Sequence, residues 1–257
     1  MEQKVALISG GSGGIGRQIA MDFAKENITV ILLARNEKKL KSVVDEITLS
    51  GGKADYILAD VTDIKQIKEA FDRIGNKYGK LDILINCAGA GPVGGILEIE
   101  DSVWENSIDV KQLGYIKMTR EAMRLMKQLK QGCIINIIGV FGKQPSSDFI
   151  VGSVTNAALI AFTKAAADEA AKSNIRINAI NPGATNTELW ADTVKEIASH
   201  SKMMPDEVNK NIAEMSPMKR LAEPSDISDT AMFLISDRAK FITGISINVD
   251  GGTYSGI

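Results

Sequence analysis

The chain has 257 residues, with 30 Lys plus Arg against 32 Asp plus Glu and a formal net charge of −2. Hydrophobic residues make up 44% and charged residues 24%, ordinary globular values that argue against disorder and against the concentrated basic face of a nucleic-acid binder. No unbroken apolar run of about 20 residues is present, so no membrane span is expected, and the first residues run into a strand-like segment without the pattern of a signal peptide.

Two cysteines, Cys87 and Cys133, are too few for a disulfide scaffold or a thiolate metal site. They read as buried free thiols of a cytoplasmic protein. The single histidine, His200, lies in the polar stretch Ala198 to Lys202. A His-rich metal cage is therefore excluded and a Ser-His-Asp triad is disfavoured, so no metal is expected.

Apolar β-branched runs alternate with amphipathic stretches along the whole chain. Val5 to Ile8 reads as a buried strand and Ile15 to Lys25 as a helix with Ile19, Ala20, Phe23 and Ala24 on one face. Strand Ile28 to Leu33, helix Glu37 to Leu49, strand Ala54 to Leu58 and helix Ile64 to Tyr78 follow. Next come strand Leu81 to Asn86, a long helix Trp104 to Lys130, strand Cys133 to Ile138, a helix from about Phe149 to Lys172 and strand Ile175 to Ile180. The stretch Gly183 to Glu223 reads as irregular, and helix Pro224 to Leu234 and strand Ile245 to Val249 complete the order. Such alternation predicts an α/β fold: one domain over residues 1–257, a Rossmann-like, doubly wound parallel sheet in three layers. Ligands then bind beyond the carboxyl ends of the strands, with residues 183–223 as a lid region on the substrate side.

The first such position carries Ser9-Gly10-Gly11-Ser12-Gly13-Gly14-Ile15-Gly16, a small-residue loop turning into a helix. Its glycines let backbone approach a pyrophosphate at a helix N-terminus. Two spacings are legible: Gly11, Gly13 and Gly16 as GxGxxG, or Gly10, Gly14 and Gly16 as GxxxGxG. At the end of the second strand, where an NAD site places a carboxylate, stand Ala34 and then Arg35. A guanidinium pairs with a 2′-phosphate that a carboxylate would repel, so NADP(H) is expected over NAD(H). Asp60, after the third strand, is placed to contact the adenine or to cap the next helix, with Val61 beside it.

These residues resemble the short-chain dehydrogenase/reductase family. The likeness spans the chain through Ser9 to Gly16, Asp60-Val61, Asn86-Cys87-Ala88-Gly89, Asn181-Pro182-Gly183 with Thr187, and Val249-Asp250-Gly251-Gly252. The resemblance implies cofactor contacts at Gly10, Ser12, Gly14, Ile15, Gly16, Arg35, Asp60, Val61, Asn86, Ala88, Gly89, Asn156, Pro182, Gly183 and Thr187. It also implies an Asn-Ser-Tyr-Lys catalytic set, in which an ammonium lowers the pKa of a phenol that exchanges a proton with the substrate oxygen.

The matching positions here are Lys111, Gly139, Gly152 and Asn156, so all four are substituted. The four tyrosines, Tyr56, Tyr78, Tyr115 and Tyr254, form no Tyr-x-x-x-Lys anywhere. The chain thus resembles a divergent branch, and Lys111 and Asn156 are its catalytic candidates, an amine and an amide exchanged between facing walls. Tyr115 and the loop Lys143 to Asp148 carry weaker candidates. Two functions follow: an NADP(H)-dependent oxidoreductase acting on a carbonyl or alcohol of unknown identity, or a catalytically silent NADP(H)-binding sensor or structural subunit. The small-residue face Ala157, Ala158, Ala161 and Ala165 suggests a homodimer or homotetramer by analogy with the family; no nucleic-acid or membrane partner is expected.

Overall fold

The structure, a computed structural model, describes residues 3–89 and 91–256. Among them, seven strands form one parallel sheet: β1 (Val5–Ser9), β2 (Thr29–Ala34), β3 (Ala54–Leu58), β4 (Ile83–Asn86), β5 (Gly132–Ile137), β6 (Ile175–Pro182) and β7 (Ser246–Val249). Their order is β3-β2-β1-β4-β5-β6-β7. The chain therefore winds outward from β1 in one direction and then from β4 in the other. The two central strands pair in parallel, Ala6 to Ile83 and Ser9 to Asn86. A crevice opens where the winding reverses.

Both faces of the sheet are buried along β1, β2, β4, β5 and β6, which is why those strands are apolar at consecutive positions, while the edge strands β3 and β7 are only partly covered. Ala6, Ile8, Val30 and Leu32 point to one core with α1 (Gly14–Lys25), α2 (Glu37–Leu49) and α9 (Pro224–Ile235). Val5, Leu7, Ile31 and Leu33 point to the other, against α3 (Ile64–Tyr78), α5 (Gly114–Leu129) and α6 (Ile150–Ala170). Asparagine amides inside this sheet are tied to neighbouring polar groups, although Asn86 Oδ1 and Asn181 Oδ1 are buried without a partner. Asn86 Nδ2 donates to Asn136 Oδ1 at 2.9 Å, and Asn136 Nδ2 donates to Thr163 Oγ1 at 2.9 Å, tying β4 through β5 to α6. Asn136→Ala should therefore lower unfolding stability by about 1–3 kcal/mol, read as a lower urea midpoint at unchanged slope.

Local signals set the helix ends. Asn36 Oδ1 accepts from the Lys39 amide at the start of α2, and Asp63 accepts from the Lys65 and Gln66 amides at the start of α3. Thr187 does the same for α7 (Glu188–Ser201), accepting from the Trp190 amide. The first helix differs: Gly13 supplies no side-chain cap and no acidic residue stands in its first turn. Its leading N–H groups are left to the crevice.

Two segments depart from expectation. The long helix predicted over 104–130 is instead α4 (Asp101–Ser107), a π-helical stretch Ile108–Leu113, and α5. The wider turn admits an extra residue per coil and brings Lys111 inward, a change of phase that a 3.6-residue pattern does not show. The region predicted as irregular holds two helices, α7 and α8 (Pro205–Met215). They bury Val194, Ala198 and Val208 against each other with Trp190, Ile197, Met203 and Ile212 around them. Trp190 Nε1 donates to Asn209 Oδ1 at 2.9 Å across the pair. Each helix is only half apolar because it needs to cover the other rather than the sheet.

By length and composition the segment Ile150–Ser173 could cross a membrane. Here Leu159, Thr163, Ala167 and Ala170 are buried inside the fold, the helix packs along β6, and Val154, Ala157, Ala161 and Ala165 form an exposed stripe.

Candidate functional site

The carboxyl ends of the strands border an open cleft of about 2410 Å³. The glycine loop after β1 forms its floor, and its geometry chooses between the two spacings. Gly10 and Gly14 have φ of +69° and +51°. A Cβ at Gly10 would stand 2.7 Å from the Cys87 carbonyl oxygen, and one at Gly16 2.4 Å from the Gly10 carbonyl oxygen. Gly13 is extended, and a Cβ there would meet nothing within 4 Å. Gly11 is crowded too, with a Cβ 2.9 Å from Leu32 Cδ2, but the positions fixed by positive φ or by backbone closer than 3.0 Å are Gly10, Gly14 and Gly16.

At one end of the cleft Arg35, after β2, and Asp60, after β3, form an ion pair at 3.6 Å. Burial pushes the Asp60 carboxyl up, but the amide and hydroxyl of Thr62 and the Arg35 guanidinium outweigh it, so the carboxylate titrates below its usual range. Arg35 stays largely exposed and available to an anion. Lys39 pairs with Glu188 at 2.7 Å, joining the start of α2 to the start of α7 above the glycine loop. Beneath that bridge, Thr187 Cγ2 lies 3.2 Å from where a Cβ of Gly14 would be, so loops from opposite halves of the chain meet.

Most of the predicted cofactor residues line this one cleft: Gly10, Ser12, Gly14, Ile15, Arg35, Asp60, Val61, Ala88, Gly89, Asn156, Pro182, Gly183 and Thr187. Two do not. Gly16 is buried against Gly10 and holds the loop on its helix. Asn86 is buried with its amide on Thr119 and Asn136, so its role is to bind strands together. A residue beside a motif glycine reads alike in sequence whether it faces the ligand or the sheet.

At the other end of the cleft stand the four substituted positions. Lys111 is 6% exposed, and its Nζ donates to the Ile138 carbonyl at 2.7 Å. Gly89, at φ +99°, leaves room for its stem: a Cβ there would meet Lys111 Cβ at 3.2 Å. Burial holds the Lys111 ammonium down at about 8, with the neighbouring Cys87 thiol opposing slightly. Burial likewise pushes Cys87 up to about 12. Gly139 has φ +139°, and a Cβ there would stand 2.8 Å from Asn156 Nδ2. Asn156 Oδ1 is buried without a partner, as is Ser107 Oγ on the α4 side of the cleft. Gly152 meets Gly91 backbone to backbone, with a Cβ of Gly91 3.2 Å from Gly152 Cα.

Of the weaker candidates, Tyr115 and Lys143 are committed elsewhere, whereas Gln144, Ser146 and Asp148 line the cleft. Tyr115 is buried, and its hydroxyl donates to the Ile137 carbonyl at 2.9 Å. Lys143 Nζ donates to the Ser246 carbonyl, and Ser153 Oγ donates to the Phe149 carbonyl and accepts from the Ser146 amide. Ser107 is the cleft residue that sequence reasoning missed. Its only signal is its place one turn before Lys111, which the π-helical stretch disguises.

The family model described as "Enoyl-(Acyl carrier protein) reductase" matches residues 10–254. The 3-oxoacyl-(acyl-carrier-protein) reductase FabG of Thermotoga maritima is 30% identical over 255 residues, covering 98% of each chain. A variant of actinorhodin polyketide ketoreductase solved with NADPH superposes with a TM-score of 0.96 at 28% identity, over 99% of this chain and 98% of that one. L-sorbose reductase from Gluconobacter frateurii, solved with NADPH and L-sorbose, gives 0.93 at 31% identity over 100% and 98%. The match runs through the glycine loop, the strand order and the cleft alike: the chain belongs to the short-chain dehydrogenase/reductase family.

Proposed function

We propose that the protein is an NADP(H)-dependent oxidoreductase acting on a carbonyl or alcohol, with a substituted catalytic set. The observation that carries the cofactor is the Gly10, Gly14 and Gly16 cradle at an uncapped helix start, with an exposed Arg35 at the same rim. The residues present fit the group. The loop and helix N–H groups receive the pyrophosphate, Arg35 the 2′-phosphate, and the unpartnered Asn156 Oδ1 accepts from a ribose hydroxyl or a bound water. When bound, NADPH supplies a hydride; the chain's own residues orient it and the substrate. The relatives support this reading, since the two ketone-reducing structures named above hold NADPH.

The reaction class follows from the same relatives and from the cleft wall, where Phe141 and Phe149 stack at 4.8 Å. An apolar wall beside a polar end suits a ketone or aldehyde carrying an apolar group. The exposed Ala157, Ala161 and Ala165 stripe on α6 supports close approach of a second copy of this chain.

Titration with NADPH and NADH, followed by nicotinamide fluorescence, should show tight binding of NADPH and weaker binding of NADH. A panel of aldehydes and ketones should then consume NADPH. Preference for NADH would overturn the assignment of Arg35. Tight NADPH binding with no turnover across the panel would favour a silent, cofactor-binding protein.

A further inference from the structure

We propose that Lys111 is the proton donor of this enzyme, and that Asn156 holds the substrate oxygen beside it, so that the active centre is rebuilt from the α4–α5 wall. The inference rests on the oxidoreductase reading above. Its observations are geometric. The amine and the amide meet neighbouring residues of one short segment: Lys111 Nζ donates to the Ile138 carbonyl at 2.7 Å, and Asn156 Nδ2 lies 2.8 Å from where a Cβ of Gly139 would be. Among the described residues no carboxylate pairs with Lys111. A buried cation without a counter-ion is costly to keep, and its place in a ligand cleft gives it a use. One of an ammonium's three donors is taken, and two are free for a ligand. Two buried polar atoms in the same cleft, Asn156 Oδ1 and Ser107 Oγ, also have no partner. Asn156 can donate to the substrate oxygen through Nδ2, while its Oδ1 and the Ser107 hydroxyl are left to ligand hydroxyl groups or water.

The other titratable groups nearby cannot serve. The Tyr115 phenol is bound to the Ile137 carbonyl, and burial pushes it well above its ordinary value. Cys87, facing Lys111 from the end of β4, is pushed up as well. The Ile138 carbonyl after β5 and Asn156 from α6 present only neutral groups. Lys111, held near 8, passes between its charged and neutral forms close to neutral pH.

The step balances. With NADPH bound, its hydride would form the C–H bond at the substrate carbonyl carbon as the C=O π pair moves onto oxygen, and Lys111 would give that oxygen its proton. The cofactor would be left oxidised and the carbonyl reduced to an alcohol. Lys111 is left as a neutral amine and regains its proton from water in the open cleft.

Two measurements on the full-length protein test this. Competitive labelling with fluorodinitrobenzene, read by peptide mass spectrometry from neutral to alkaline pH, should modify Lys111 with a midpoint near 8. Saturating NADPH should protect it. A midpoint in the ordinary lysine range, or no labelling at all, would show an amine that is not poised or not reachable, and overturns the proposal.

The second measurement is turnover with a carbonyl that the panel identifies. Lys111→Met should lower kcat on the order of 10²–10⁴-fold at unchanged NADPH affinity. In the parent, kcat/KM for reduction should fall above a pH near 8, and this limb should vanish in the variant. Lys111→Arg keeps the charge but releases no proton, so it should not restore turnover; rescue by Arg would show a purely electrostatic role. Asn156→Ala should raise KM for the carbonyl more than it lowers kcat. Equal turnover of the parent and Lys111→Met would sink the proposal alone. NADPH binding without turnover by the parent would sink the oxidoreductase reading and the proposal together.

Discussion

Gly16→Val should abolish NADPH binding and lower Tm by on the order of 10 °C. The substituted Cβ would stand 2.4 Å from the Gly10 carbonyl oxygen, so either the loop or the start of α1 has to move. Backbone cannot yield as a flexible side chain does, so the cost falls at the upper end of the about 1–3 kcal/mol typical of overpacking. For a domain of this size that converts to roughly 2–4 °C per kcal/mol. Gly13→Ala is the matched control, because its Cβ meets nothing within 4 Å and its φ is extended. It should leave Tm unchanged. Thermal denaturation by circular dichroism, with fluorescence titration of NADPH, reads both effects. Equal behaviour of the two variants would mean that the loop tolerates displacement and that the cradle is not set by Gly16.

Arg35→Ala should weaken NADPH binding by about 10–100-fold and leave NADH binding nearly unchanged. The guanidinium is the exposed cation at the rim, and a charge-assisted bond to phosphate contributes about 1.5–3 kcal/mol. Its loss also leaves the Asp60 carboxylate without its partner at 3.6 Å, so the remaining local charge repels a phosphate. Titration of both nucleotides at fixed ionic strength measures the ratio. A parallel loss for NADH would assign Arg35 to the fold of the rim rather than to the phosphate.

The sheet was legible because its strands are apolar on both faces and its helices on one. The predicted bounds of α2, α3 and β3 coincide with those observed. Less legible were features set by contacts far apart in sequence. The helical hairpin of α7 and α8 has no sheet to lie on, so its apolar positions are sparse and scattered. The π-helical stretch changes period in mid-helix and hides the inward turn of Lys111. The choice between glycine spacings depends on the Cys87 carbonyl, 77 residues beyond Gly10 and brought beside it by β4. Asn86 and Gly16 show the same limit, since a motif names a neighbourhood and only packing tells which members face the ligand.

The hairpin that seals its own small core has a further consequence. Val194, Ala198 and Val208 anchor it internally, while Leu189, Thr193 and Met215 line the cleft. Residues on its inner side can then change without disturbing the strands, which carry their own contacts. One wall of the cleft can thus vary in composition while the glycine cradle and the sheet beneath it stay constant.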